Sequence, residues 1–262
     1  MAKSITDFQP GQVVLVTAGA SGIGRCIAET YLRHDCKVHV CDIDRDSIDQ
    51  FLAANPAATA SLTDISKPEQ VETLFTDFQR HYDKLDILIN NAGIAGPTAK
   101  LEDTNIDEWN SCINIDINGI FYITRKAVPL IKQAGGGSII NLASNAALFG
   151  FPLRSAYTAA KWAVIGLTKT WAMEFGPDNI RVNALCPCSV NGPRIEAVIA
   201  RDAEQRGLSC GEIRDVYQRQ SAMRLFVDPE DVANMALFLS SNMGKTISGQ
   251  SIAIDGHTES LS

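Results

Sequence analysis

Short, β-branched and almost wholly apolar runs alternate along the chain with longer stretches whose apolar residues recur every three or four positions. The runs with strand character lie near Val13–Thr17, Lys37–Asp42, Leu85–Asn90, Ser138–Leu142, Ile180–Leu185 and Ser251–Ile254. Several are apolar at consecutive positions, so both faces of the sheet they form have to be covered. A parallel neighbour is reached only through a crossover, so strands alternating with helices predict an α/β fold: one doubly wound parallel sheet with helices on both faces.

Two of the intervening stretches carry further information. Ser66 and Glu69 bracket Lys67 and Pro68 ahead of Val71, Leu74, Phe75 and Phe78, which predicts a capping box with proline in the first turn of a one-sided helix. From Ile106 to Lys132 the helical pattern is apolar on more than one side, more than a single sheet contact needs, and a subunit interface is expected to cover the excess. No repeat, low-complexity tract or linker interrupts the chain, so residues 1–262 are expected to form a single domain.

Composition narrows the function classes. With 262 residues, 45% of them hydrophobic and 20% charged, the chain can bury one large core. A net charge of −7 argues against a surface for phosphate backbones or anionic lipid, so neither nucleic acid nor membrane is an expected partner. The stretch from Met1 to Gly11 lacks the apolar run of a signal peptide and no segment is long enough to span a bilayer, which places the protein in the cytoplasm. Seven cysteines, mostly inside apolar segments, read as reduced packed thiols. Cys186 and Cys188 flank Pro187, but no second Cys or His pair stands at ligand spacing, and no metal is expected.

The chemistry begins at the first strand. Thr17 leads into Ala18-Gly19-Ala20-Ser21-Gly22-Ile23-Gly24, and a helical pattern with Ile27, Ala28, Tyr31 and Leu32 follows. Strand, glycine turn and helix N-terminus together aim free N–H groups at a diphosphate. The next strand ends in Asp42, whose carboxylate can accept both hydroxyls of an adenosine ribose and repels a 2′-phosphate, and Ile43 after it offers no cation to hold one. These residues predict NAD rather than NADP, although Asp42 also opens an acidic turn with Asp44 and Asp46, and Arg25 and Arg45 stand near enough in sequence to meet a phosphate.

The glycine turn, Asn90-Asn91-Ala92-Gly93 and Tyr157-Thr158-Ala159-Ala160-Lys161, in this order, resemble the short-chain dehydrogenase/reductase family from Val13 to Gly256. The resemblance implies a Rossmann-like fold, a homotetramer with the Ile106–Lys132 and Ser155–Phe175 helices at one interface, and oxidoreduction of a secondary alcohol or ketone. It places Asp64 and Ile65, after the third strand, beside the adenine, and Asn91, Ala92 and Gly93 against the adenosine half of the cofactor. Pro187, Cys188 and Val190 would meet the nicotinamide end. Ser144, in Asn141-Leu142-Ala143-Ser144, matches the family's catalytic serine.

The residues support that chemistry independently. Tyr157 and Lys161 stand one helical turn apart and project from the same face. The ammonium, with the positive charge of an oxidised nicotinamide, favours the phenolate, so Tyr157 can take the carbinol proton as hydride leaves. Ser144 would donate a hydrogen bond to the substrate oxygen, and Lys161 would also hold the nicotinamide ribose.

Three positions depart from the family pattern. Ala18 replaces the first turn glycine, so either its backbone stays β-like or the diphosphate seat is reshaped. Asp116, between Asn114 and Asn118, occupies the fourth catalytic position, usually asparagine, and is expected to pair with Lys161 and weaken its effect on Tyr157. The family's Pro-Gly reads Pro187-Cys188, with Gly192 where a threonine often stands; Cys188 is read as a packed thiol at the pocket edge.

Residues 191–227 turn helical and charged and are expected to cap the active site. Arg194 in this lid and Arg154 before Tyr157 could fork an anion, which with Ser144, Asn145 and Tyr157 completes the expected substrate-facing set. The arginines equally fit solvated helix faces paired with acids. The substrate is accordingly a small polar alcohol: an anionic hydroxy acid or hydroxysulfonate, or a neutral polyol or sugar. His257 either reaches a pocket or stays at the surface. Two alternatives share these residues: an NADPH-type 3-oxoacyl reductase, which Asp42 opposes, and a catalytically silent NAD-binding protein, which Ser144, Tyr157 and Lys161 in register oppose.

Overall fold

The computed structural model describes residues 10–261; the N-terminal segment up to Gln9, part of the stretch read above for a signal peptide, lies outside the described residues. Seven strands form one parallel sheet: β1 (Val13–Thr17), β2 (Lys37–Asp42), β3 (Thr59–Leu62), β4 (Ile87–Asn90), β5 (Gly137–Leu142), β6 (Ile180–Pro187) and β7 (Ser251–Ile254). Their order across the sheet is β3-β2-β1-β4-β5-β6-β7, with Leu15 of β1 opposite His39 of β2 and Leu88 of β4. The chain winds outward from β1 to β3, returns to β4 on the other side, and leaves a crevice at the carboxyl ends of β1 and β4, where such sheets bind ligands.

The helices are α1 (Gly22–Leu32), α2 (Arg45–Ala54), α3 (Pro68–Gln79), α4 (Ile106–Ile113), α5 (Ile120–Gln133), α6 (Ser155–Phe175), α7 (Pro193–Arg206), α8 (Cys210–Arg219) and α9 (Pro229–Ser240). Alternation along the strands sorts the core into two layers. Val13 and Leu15 pack with Leu74 and Phe78 of α3, Ile123 of α5 and Val164 of α6. Val14 and Val16 pack on the opposite face with Ile27 of α1, Phe51 of α2 and Ala236 of α9. Leu15 is fully buried, and its replacement by Ala costs about 2–5 kcal/mol in such a site.

The structure corrects the sequence reading in three places. β3 was not among the strand runs; it is four residues long and half exposed at the sheet edge, too short for an apolar signal. The capping box at Ser66 and Glu69 does not form, because Lys67 is the N-cap and Pro68 opens α3. Ser66 instead donates through both N–H and Oγ to Asp64 Oδ1, at 2.9 and 2.7 Å. The stretch Ile106–Lys132 is helical throughout, but residues Asn114–Gly119 widen into a π-helical segment between α4 and α5.

Candidate active site

The glycine turn is held from below. Thr17 is buried, and its Oγ1 accepts hydrogen bonds from the N–H groups of Asn91 and Ala92, both at 2.9 Å. Asn91 Nδ2 donates to the carbonyls of Thr17 and Ala18 at 2.9 and 3.0 Å, so this side chain ties β4 to the turn. Ala18 adopts φ 47°, which settles the alternative left by the sequence: it is left-handed, not β-like. Gly24 is required by contact, since a Cβ there would lie 2.1 Å from the Ala18 carbonyl oxygen and 2.5 Å from Asn91 Nδ2. Gly19 is packed as tightly, with a Cβ reaching Val40 Cγ1 at 2.7 Å.

These constraints present the amino end of α1 as an anion seat. Ser21 is its N-cap in extended conformation and makes no side-chain cap, so the first-turn N–H groups after it are not capped by this side chain. Ser21, Gly22 and Ile23 line a cavity of about 460 Å³.

Asp42 lies at the carboxyl end of β2, 7% exposed. Its Oδ2 accepts from Ala20 N–H at 3.2 Å, which joins the glycine turn to β2, and its Oδ1 accepts from Ile43 and Asp44 N–H at 2.8 and 3.3 Å. Ile43 stands beside it 69% exposed, an apolar surface where a 2′-phosphate would need a cation. Asp64 donates its N–H to Gln70 Oε1, while Ile65 turns inward: a Cβ on Gly119 would lie 2.6 Å from its Cδ1. The residues present therefore fit a nicotinamide dinucleotide.

The residues expected to handle the proton converge from separate elements. β5 delivers Ser144, whose Oγ accepts from Ala146 N–H and donates to Asn145 Oδ1, both at 3.2 Å. Asn145 Nδ2 in turn donates to Thr258 Oγ1 at 3.2 Å. On α6, Lys161 is buried with Nζ 5.6 Å from the Tyr157 ring centroid, donating to the Leu142 carbonyl at 3.1 Å. Asp116, in the π-helical segment, accepts from Ile94 N–H at 2.7 Å through Oδ1 and places Oδ2 3.1 Å from Lys161 Nζ. Gly93 lies against this pair; a Cβ there would meet Asp116 Oδ2 at 3.0 Å and Lys161 Nζ at 3.2 Å.

The same cavity that receives the glycine turn is lined by Ser144, Tyr157 and Lys161, and by Asn91 and Gly93, which the sequence reading had placed toward the adenosine half. Pro187, Cys188 and Val190 form its β6 edge. The Cys188 N–H donates to the Ile254 carbonyl at 3.1 Å and is not free for a ligand. Burial pushes the Cys188 thiol up to about 11, that of an unreactive thiol. Arg154 and Arg194 line the cavity too, Arg194 exposed and donating to the Gly93 carbonyl at 3.0 Å. α7 and α8, within residues 191–227, close one side through Ile195, Val198 and Tyr217.

Sequence reasoning missed Phe151 and Tyr217, whose rings lie 6.1 Å apart on the cavity wall; Tyr217 carries only the ordinary apolar spacing of α8. His257 is exposed and does not line the cavity. The described residues contain no group of three or more His, Cys, Asp or Glu placed to bind a metal ion, and no helix is long and apolar enough to cross a membrane.

Residues 17–257 match a family model described as enoyl-(acyl carrier protein) reductase. The chain is 31% identical over 250 residues to a 3-oxoacyl-[acyl-carrier-protein] reductase of Thermotoga maritima, covering 94% of this chain and 97% of the relative. It is 33% identical over 254 residues to an NAD-dependent glycerol dehydrogenase of Listeria innocua, covering 97% and 94%. The solved structure of an NAD+-bound xylitol dehydrogenase superposes with a TM-score of 0.90 at 25% identity, covering 94% of this chain and 98% of that one.

Proposed function

Because the chain belongs to the short-chain dehydrogenase/reductase family and acts on CH–OH groups, we propose that it is an NAD-dependent dehydrogenase interconverting a small polar secondary alcohol and its ketone. The observation that carries this reading is the continuity of one cavity from Ser21, Gly22 and Ile23 to Ser144, Tyr157 and Lys161.

The bound nicotinamide supplies the hydride acceptor for oxidation and the donor for reduction. Gly19, Ser21, Gly22, Ile23 and Gly24 would seat the diphosphate, Asp42 and Ile43 would select a free 2′-hydroxyl, Asp64, Ile65 and Ala92 would border the adenosine half, and Lys161 would hold the nicotinamide ribose. Tyr157 takes the carbinol proton through its hydroxyl oxygen in oxidation and returns it to the carbonyl oxygen in reduction. Ser144 Oγ, held by Asn145 and Ala146, turns its proton toward the same substrate oxygen and stabilises the charge that develops there. α7 and α8 exclude water.

The likeness to a 3-oxoacyl reductase keeps a second reading in view, and cofactor choice separates the two, since Asp42 disfavours NADPH. We place the protein in the cytoplasm, where seven free thiols stay reduced, and as a homotetramer through the outer faces of α5 and α6, where Phe121, Trp162 and Met173 are exposed. The decisive experiment follows NADH absorbance with a panel of secondary alcohols. Wild type turns over at least one member, and Tyr157→Phe lowers kcat by about 10²–10⁴ with NAD binding intact. Unchanged turnover in that variant overturns the assignment.

A further inference from the structure

Arg154 precedes Tyr157 by one turn and is the N-cap residue of α6. It is 4% exposed. Nη2 donates to the Ala95 carbonyl at 2.8 Å, and the guanidinium carbon lies 5.1 Å from the Tyr157 ring centroid and 5.5 Å from that of Phe151. Its Nε is buried without a hydrogen-bond partner.

Among the described residues no ion pair balances the charge of this side chain. Asp202 and Asp116, buried acids of the surrounding elements, pair with Arg206 at 2.8 Å and Lys161 at 3.1 Å. No carboxylate forms an ion pair with Arg154 among the described residues. Ring faces recover only part of the hydration a guanidinium gives up, and an unpaired buried cation is among the costliest groups to retain. Its place is also the wrong one for stability. The amino end of a helix carries partial positive charge, and the first turn of α6 holds no acid to offset it. Guanidinium and helix end therefore both favour an anion arriving through the cavity, to which Arg194 adds a second, exposed cation.

The geometry points to a substrate bearing a terminal oxyanion, a carboxylate, sulfonate or phosphate ester, a few bonds from its carbinol carbon and gripped by Arg154. This rests on the reading of Tyr157 as the proton carrier and names the substrate class of the same site. Arg154 and Tyr157 are separated by about 5 Å of helix, which sets a short span between the two substrate groups. The cavity also has to admit the nicotinamide end of the cofactor, so the substrate is small. In oxidation the carbinol carbon gives its hydride to bound NAD, the hydroxyl proton passes to Tyr157, and the oxyanion is unchanged.

The test compares matched pairs with NAD: 3-hydroxybutanoate against its amide, 2,3-dihydroxypropane-1-sulfonate against 1,2-propanediol, and glycerol phosphate against glycerol. We expect at least one anionic member to exceed its neutral partner by 30-fold or more in kcat/KM. Arg154→Met should cut that preference at least tenfold, mainly through KM, and Arg154→Lys should restore part of it. The pair that responds identifies the oxyanion. A neutral partner turned over as well as its anionic counterpart in wild type overturns the inference and leaves the dehydrogenase reading standing. If no alcohol of either kind reduces NAD, the dehydrogenase reading fails and binding decides the inference. Malonate or methanesulfonate should then raise the melting temperature of NADH-saturated wild type more than acetamide does, and should lose that effect in Arg154→Met. Equal shifts overturn it.

Discussion

Asp116 Oδ2 lies 3.1 Å from Lys161 Nζ, and both side chains are removed from solvent. The distance makes an ion pair, yet Oδ2 has no hydrogen-bond partner, and the hydrogen bond that the ammonium does make goes to the Leu142 carbonyl. The π-helical segment makes the approach possible: its wider turn brings Asp116 inward while Oδ1 is fixed by Ile94 N–H. The carboxylate thus stands beside the ammonium whose nitrogen lies 5.6 Å from the Tyr157 ring centroid.

Asp116→Asn removes that charge and keeps an acceptor for Ile94 N–H. With that charge gone the field of the ammonium on Tyr157 is no longer opposed, so the limb of the oxidation pH–rate profile that rises with pH should move toward acid, by on the order of 1 unit. Stability should fall, since a buried cation loses its partner. A limb that stays in place, measured with saturating NAD, would count against the coupling.

Cofactor choice is tested at the end of β2. Asp42→Ser with Ile43→Arg removes the carboxylate and adds a cation at an exposed position, so the kcat/KM ratio of NAD to NADP should fall by about 10²-fold or more. The variant will be less stable by about 1–2 kcal/mol, because Ser cannot accept from Ala20, Ile43 and Asp44 at once. Wild type using both nicotinamides equally would remove the role given to Asp42.

What the sequence made legible was whatever depends on local spacing. Tyr157 and Lys161 share a helix face by their offset, and β1 and β4 are apolar enough to be read directly; Asp116 was linked to Lys161 only through the family resemblance. What stayed hidden depends on tertiary burial. Arg154 has the sequence surroundings of a surface arginine; Phe151 and Tyr157 flank it locally, but the carbonyl of Ala95 that holds its guanidinium comes from a distant segment. Asn91 was read as facing the cofactor, whereas its amide also braces the turn across the sheet, a contact no one-dimensional pattern records. β3 at the sheet edge is specified by pairing with β2 more than by its own Thr-Ala-Ser-Leu.

The glycine turn predicts opposite outcomes for two similar changes. Ala18 holds a left-handed conformation that costs a residue with a Cβ about 1–2 kcal/mol, so Ala18→Gly relieves strain and outweighs the extra freedom of the unfolded chain. Its melting temperature should rise by a few degrees with NAD affinity retained or improved. Gly24→Ala should abolish NAD binding, since neither the Ala18 carbonyl nor Asn91 can withdraw without breaking the turn. Equal behaviour of the two variants in cofactor titration and thermal melting would contradict this account.

A buried histidine that does not line the cavity should make stability fall in acid. His39 lies in β2 with one ring nitrogen 2.8 Å from Thr59 Oγ1 and the other 3.1 Å from Ser61 Oγ, and Phe78 packs edge-on against the ring. Burial, and secondarily the charge of His81, lowers it to about 3. The unfolded chain takes up this proton near the ordinary value of about 6.5, the folded chain only near 3, so the unfolded state binds the extra proton between them. The contribution is complete above pH 6.5 and drains away as pH falls toward 3, with about 2 kcal/mol already lost at pH 5. Denaturant unfolding at pH 7.5 and 5 reads this loss before most carboxylates titrate. His39→Gln should be less stable than wild type at pH 7.5 yet lose about 2 kcal/mol less on acidification, and an unchanged difference between the two pH values would mean that His39 is not the group responsible.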